Sequence, residues 1–126
     1  MKLYRFMSMA EFSKLTAGVP LVSHNSHAGK RTSSHGFCFI AAESRDEAFW
    51  NYEFLDGIVS KDVLVEFEAD LSLLMESVGT YADPNSDDWF ATIDKIEYCT
   101  DAYDRDVLRP TAYGIFDYLS CEWYEL

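Results

Sequence analysis

The strongest constraint on the fold is the alternating run of residues 62–70. Its apolar side chains recur at every second position, namely Val63, Val65, Phe67 and Ala69. Successive side chains of a strand point to opposite faces of a sheet, so this period of two predicts a β-strand. Glu66 and Glu68 fall between the apolar residues, and we expect them on a solvent-facing side.

Two capping boxes predict where helices begin. Ser8 is followed three residues later by Glu11, and Ser44 is followed three residues later by Glu47. In this motif the serine side chain accepts a hydrogen bond from the N–H of the glutamate, whose side chain reaches back to the serine N–H. The first helix is expected to run to about Thr16, and the second to follow the strand that ends at residue 42.

The remaining segments favour an α+β fold. Short strands are expected at residues 2–6, 36–42, 95–99, 112–119 and 122–126, and a helical turn at residues 71–77. Strands that outnumber two or three short helices, without regular alternation of the two, indicate a mainly antiparallel sheet. A chain of 126 residues is of the usual size for one domain, so we expect residues 1–126 to form a single domain.

The charge of the chain is divided by position. Residues 1–42 carry five basic residues and one acid, a net charge of +4, whereas residues 43–126 carry five basic residues and 21 acids, a net charge of −16. An acidic body repels nucleic acid and attracts basic protein surfaces. We therefore expect a basic protein partner, such as a nucleic-acid-binding complex, and no direct contact with nucleic acid.

Cysteine content and hydropathy bear on localisation and metal binding. Three cysteines and no long apolar run predict a cytoplasmic protein with no membrane contact. His24-x-x-His27 and His35-x-x-Cys38 have the spacing of zinc ligands. Because Cys38 falls within an apolar strand, a polar loop that carries histidines is the simpler interpretation, and we assign no metal site.

Three segments resemble the ADP-ribosyltransferase superfamily. Residues 32–42 read Thr-Ser-Ser-His-Gly-Phe-Cys-Phe-Ile-Ala-Ala, and a helix with Trp-Asn-Tyr at residues 50–52 follows. In that superfamily such a strand and helix hold the nicotinamide end of NAD. Leu3-Tyr4-Arg5 resembles the first strand of the family, and Ile96-Glu97-Tyr98 resembles the late strand with the catalytic glutamate. The matches cover residues 2–8, 32–52 and 96–119, under half of the chain.

The resemblance implies an NAD-dependent ADP-ribosyltransferase-like fold and activity, with NAD as substrate and a macromolecular target, most simply a protein. It gives the catalytic roles to Glu97 and Arg5. The residues that it places against NAD are Arg5, Ser33, Ser34, Gly36, Phe39 and Tyr52. Transferases of this size are similar to those of toxins and phage counter-defence proteins, including some anti-CRISPR proteins.

The chemistry fits these residue types. Cleavage of the nicotinamide–ribose bond builds positive charge on the ribose, as in glycoside hydrolysis, and a placed carboxylate stabilises that charge. Such a group is typically worth on the order of 10²–10³ in rate. The forked guanidinium of Arg5 suits two-point contact with a phosphate or ribose oxygen.

The sequence also departs from the family and leaves a second function open. Lys95 stands where a Glu-x-Glu motif has its first glutamate, and Cys38 stands where another branch has tyrosine. A Glu-x-Glu does occur at residues 66–68, so Glu68 is the second choice for the catalytic acid. The alternative is a non-catalytic acidic inhibitor, of the anti-CRISPR or nucleic-acid-mimic type, that binds a basic surface of a nucleic-acid-handling protein.

Overall fold

The structure, a computed structural model, describes residues 2–22, 36–53, 62–83, 85–88, 90–115 and 122–126. The strands are β1 Lys2–Met7, β2 Leu21–Val22, β3 Phe37–Ala42, β4 Val63–Ala69, β5 Met75–Ala82, β6 Thr92–Thr100, β7 Ala102–Tyr103, β8 Leu108–Ile115 and β9 Glu122–Glu125. The helices are α1 Met9–Thr16 and α2 Arg45–Glu53, and a 3-10 turn spans Leu71–Leu73.

Seven of these strands form one sheet in the order β5-β6-β3-β1-β4-β8-β9, while β2 pairs with β7. Every described pairing is antiparallel. The expected α+β class with mainly antiparallel strands is therefore confirmed. The first strand of the chain lies at the centre of the sheet, so both of its edges are hydrogen-bonded to neighbours.

The central strands bury side chains on both faces of the sheet. On one face Leu3, Val65 and Phe67 pack with Leu15 of α1. On the other, buried side chains of β1, β3 and β4 pack with Ala48 of α2. We call these the α1 face and the α2 face. Burial of apolar side chains stabilises the folded state by about 25 cal/mol per Å² of area removed from water. These contacts therefore hold both helices to the sheet.

Both helices begin where the capping boxes predicted. Ser8 Oγ accepts a hydrogen bond from the N–H of Glu11 at 3.1 Å, and Ser44 Oγ accepts one from the N–H of Glu47 at 3.2 Å. The return half of each box differs from the expectation, because the Glu11 carboxylate accepts hydrogen bonds from Arg5, and the Glu47 carboxylate accepts one from the N–H of Glu43 instead of that of Ser44. The first cap thus also brings an acid against the centre of the sheet.

The segment after β4 differs from the prediction. Residues 71–77 were expected to form a helical turn, but only Leu71–Leu73 are helical, and Met75–Ala82 form a strand that pairs with β6 along its whole length. β6 also begins earlier than expected, at Thr92. β5 and β6 form a hairpin. Pairing with β6 determines the strand structure of β5, since the residues of β5 have only a weak apolar pattern of their own. Within the described residues, no helix has the length and hydropathy needed to cross a membrane.

Candidate functional site

Arg5 lies on the α1 face, within a cluster of hydrogen-bonding and aromatic partners. Its Nε and Nη2 donate hydrogen bonds to the two carboxylate oxygens of Glu11 at 2.7 and 2.9 Å. Its Nη1 donates to the backbone carbonyl of Cys38 at 3.1 Å. The side chains of Arg5 and Glu11 are only 18% and 14% exposed. Arg5 therefore joins β1, α1 and β3, which is a structural role.

Aromatic rings complete this cluster. The guanidinium carbon of Arg5 lies 5.2 Å from the ring centre of Phe37 and 5.7 Å from that of Phe39. Tyr103 donates its hydroxyl hydrogen to Glu11 at 3.0 Å. Burial, together with the Glu11 carboxylate, raises the pKa of Tyr103 above its ordinary value. Phe39 is fully buried and meets the rings of Phe67 and Tyr103 edge to face. In this arrangement its ring belongs to the core.

Gly36 is required by the backbone at the beginning of β3. Its φ is +66°, and an added Cβ would lie 2.6 Å from the carbonyl oxygen of Thr100. This close approach explains the glycine without any ligand. Two other residues assigned to NAD, Ser33 and Ser34, lie outside the described residues, as do His24, His27 and His35. Tyr52 belongs to α2, but its side chain is not among those that the structure describes.

Glu97 lies on the α2 face, beside two cysteines. In the sheet register Cys38 is opposite Cys99, and Ile40 is opposite Glu97. Glu97 is 7% exposed and Cys99 is 2% exposed. The thiol sulfurs of Cys38 and Cys99 are 3.0 Å apart, and Ser77 Oγ lies 3.5 Å from Cys99 Sγ. Glu97 was predicted as a catalytic acid, and its carboxylate lies within 4.8 Å of the two thiols.

The two predicted catalytic residues point to opposite sides of the sheet. Tyr4 is opposite Ile40, and Ile40 is opposite Glu97, so Glu97 shares the face of Tyr4. Arg5 follows Tyr4 in the same strand, so its side chain points to the other face. The sheet itself separates Arg5 and Phe39 from Glu97. Of the predicted site residues, the structure thus brings Arg5 and Phe39 together and places Glu97 on the opposite face.

A second buried carboxylate, Glu66, corrects the expectation of a solvent-facing residue. It accepts hydrogen bonds from Lys2 Nζ at 2.8 Å, Thr111 Oγ1 at 2.8 Å and the Tyr4 hydroxyl at 2.9 Å. Burial pushes the pKa of Glu66 upward, but these hydrogen bonds outweigh it and the pKa lies below its ordinary value. Glu68, the second choice for catalysis, is exposed and forms an ion pair with Arg109.

The β5–β6 hairpin carries exposed acids as well as the buried Glu97. In its register Val78 is opposite Ile96, and both side chains are about half exposed, at 56% and 49%. Glu76 precedes Val78 by two residues and Asp94 precedes Ile96 by two, so all four point to one face. We call Glu76, Val78, Asp94 and Ile96 the hairpin patch. It combines an exposed apolar pair with a carboxylate on either strand.

Sequence reasoning missed two of these features. The cross-strand approach of Cys38 and Cys99 depends on the register between distant segments. The hairpin patch was missed because residues 75–82 were not predicted as a strand. The only available signal was composition, since residues 70–97 contain seven acids and one basic residue.

Comparison with known proteins adds no relative. No protein-family model, curated protein or solved structure matches the chain. The likeness to ADP-ribosyltransferases rests on the sequence motifs quoted above.

Proposed function

We propose that this protein is a binding module that docks its acidic surface on a basic region of a nucleic-acid-handling protein. The observation that carries the proposal is the hairpin patch, in which exposed apolar side chains lie among carboxylates. Carboxylates attract a basic partner over a distance, and apolar side chains stabilise the contact once water is excluded. A nucleic-acid channel offers both a positive surface and a place for such side chains.

The distribution of charge supports the proposal. The chain has a net charge of −12, and exposed acids occur on several elements. The exposed acids of the described residues are Glu43, Asp46, Asp62, Glu68, Asp70, Glu76, Asp87, Asp88, Asp94, Asp101, Asp106, Glu122 and Glu125. A surface of this composition resembles a phosphate backbone in the sign of its charge.

The basic residues do not offset this surface, because several of them are paired within the chain. Arg5 bonds Glu11, Lys2 bonds Glu66 and Lys95 bonds Glu47. Each such pair cancels one positive charge against one acid of the same molecule. The exposed acids around the hairpin patch are therefore left to act on a partner.

The position of the hairpin supports a docking role. β5 is an edge strand of the seven-stranded sheet, and β3 pairs with β6 only at residues 97–100. The part of the hairpin nearer its turn lies beyond that pairing. The turn adds two exposed acids, Asp87 and Asp88. It also adds Phe90, which is 83% exposed. A partner can thus reach this end of the sheet without displacing the core.

A displacement experiment tests the proposal. Labelled DNA or RNA is bound to each of a panel of purified nucleic-acid-binding proteins with basic channels, and this chain is added as competitor. We expect saturable displacement from at least one of them, together with direct binding that weakens as salt is raised. Exposed charges are screened over about 8 Å at physiological ionic strength and about 3 Å at 1 M. Binding that is independent of salt, or no displacement across the panel, would contradict the proposal.

NAD-dependent ADP-ribosyl transfer stays a prediction from sequence. Its support is the order of Arg5, the strand after Gly36 and Glu97 along the chain, whereas the sheet separates Arg5 from Glu97. The test is titration of the protein with NAD, followed by mass spectrometry of candidate targets. Saturable NAD binding and an ADP-ribose mass shift that Glu97→Gln abolishes would support this second function, and neither result is expected from a binding module.

A further inference from the structure

Cys38, Glu97 and Cys99 bring three metal-binding groups to one point on the α2 face. Cys99 and Glu97 are two residues apart on β6, so the period of the strand directs both side chains to the same side. Cys38 is the residue of β3 directly opposite Cys99. The two sulfurs and the carboxylate oxygen all lie within 4.8 Å of one another.

The spacing suits a small divalent ion. Zinc binds sulfur at about 2.3 Å and carboxylate oxygen at about 2.0 Å, which places tetrahedral ligand atoms roughly 3.5–3.8 Å apart. The sulfurs of Cys38 and Cys99 are 3.0 Å apart, and no pair in the cluster exceeds 4.8 Å. Small side-chain rotations would bring all three atoms to one ion without moving the strands.

The chemistry and burial of the donors select the kind of metal. Thiolates favour zinc and similar transition metals over magnesium and calcium, which prefer oxygen ligands. Glu97 and Cys99 are buried, whereas Cys38 is half-buried, so Cys38 is the most accessible of the three residues. A divalent cation would compensate the negative charge of the buried carboxylate and of the two thiolates that form on binding.

We propose that Cys38, Cys99 and Glu97 form a binding site for a zinc-class divalent transition-metal ion. On binding, each thiol releases its proton to solvent as its sulfur–metal bond forms, and the Glu97 carboxylate provides an oxygen ligand. A fourth position is filled by water or by another donor. The ion would tie β3 to β6, one of the two strands that carry the hairpin patch. The proposal is independent of the binding function and of NAD transfer.

Cobalt provides a direct test, because thiolate coordination gives Co²⁺ a characteristic charge-transfer absorption. The full chain, purified without a histidine tag and kept reduced with a phosphine, is titrated with Co²⁺ and then with Zn²⁺. We expect a thiolate–cobalt band that saturates at one equivalent and that zinc removes. Cys38→Ser and Cys99→Ser should each reduce the band strongly. Glu97→Gln should weaken binding by about tenfold or more, since loss of even an outer-shell partner of a metal ligand typically costs about 10–100-fold.

Cys121→Ser is the matched control, because it removes the third thiol of the chain and should leave the band unchanged. In the wild-type protein, zinc should slow alkylation of the half-buried Cys38 and leave the alkylation rate of Cys121 unchanged, a readout that does not depend on the folding of any variant. A variant that combines His24→Ala, His27→Ala and His35→Ala tests the alternative zinc ligands given by the spacing of the three histidines and Cys38. Retention of the band supports the proposed site.

Three results would overturn the proposal. The first is the absence of a thiolate–cobalt band in the reduced wild-type protein. The second is equal loss of the band in the Cys121→Ser control. The third is loss of the band in the triple histidine variant while Glu97→Gln binds cobalt with unchanged affinity, which would assign the metal to a different set of ligands.

Discussion

The guanidinium of Arg5 and the carboxylate of Glu11 form two parallel hydrogen bonds, at 2.7 and 2.9 Å, beneath the first helix. The pair joins the second half of β1 to the first turn of α1, only six residues along the chain. Two-point contact of this kind fixes the orientation of both groups. It also occupies the side chain that the family resemblance assigns to NAD.

Breaking this pair should destabilise the protein. Glu11→Ala leaves the Arg5 charge largely buried and also removes the acceptor of the Tyr103 hydroxyl. Loss of one member of a buried pair typically costs about 3–5 kcal/mol, and the residual exposure of this pair favours about 3 kcal/mol. Urea unfolding at pH 7 measures the change. Glu68→Ala is the control, since the Glu68–Arg109 pair is exposed and should cost less than about 1 kcal/mol. Equal effects of the two substitutions would contradict a structural role for Arg5.

Gly36 should resist substitution more strongly than Gly18. Both have positive φ, so alanine costs about 1–2 kcal/mol at either position. At Gly36 the new Cβ would also meet the backbone oxygen of Thr100 at 2.6 Å, whereas at Gly18 it meets the flexible end of Arg105 at 3.3 Å. Thermal unfolding of Gly36→Ala and Gly18→Ala compares them. A smaller effect at Gly36 would show that the approach of β3 to residues 100–101 is not as close as described.

The stability of the protein should depend on Glu66 in acid. Its pKa in the folded state lies below the ordinary value of 4.5, so its contribution is present above that value and is lost as pH falls through the lower folded pKa. Between the lower folded-state pKa of Glu66 and its ordinary value of 4.5, the unfolded chain binds more protons than the folded chain. Glu66→Gln should therefore be less stable than wild type at pH 7, and the difference should shrink below about pH 4.5.

Urea unfolding of both proteins between pH 7 and pH 3 measures this difference. Glu125→Gln, which changes an exposed glutamate to glutamine, is the control for the loss of one carboxylate. A constant difference between wild type and Glu66→Gln across the whole range would contradict the linkage.

Reversal of charge in the hairpin patch should weaken partner binding. Glu76→Lys with Asp94→Lys changes the net charge from −12 to −8, and so does the control, Glu122→Lys with Glu125→Lys on β9 at the far edge of the sheet. We expect the first double variant to lose about tenfold or more in affinity for a responsive partner, since like charges across an interface are unfavourable. Equal losses would indicate that net charge, and not the hairpin patch, determines binding.

Local signals in the sequence predicted the elements that are locally determined. The alternation around Val63 predicted β4, and the serines at positions 8 and 44 predicted where both helices begin. These predictions succeed because the alternation of a strand and the cap of a helix depend only on residues a few positions apart in the chain. β5 was missed because its residues gain strand structure from pairing with β6 rather than from their own pattern.

By itself the sequence determined the α+β class, the two helix starts and the division between a basic beginning and an acidic remainder. Only the tertiary structure decided which side chains share a face of the sheet. It placed Arg5 against Glu11 on one face, and Glu97 beside Cys38 and Cys99 on the other. The physical reason is strand register. Neighbouring residues of a strand point in opposite directions, and hydrogen bonds between segments far apart in the chain decide which residues meet.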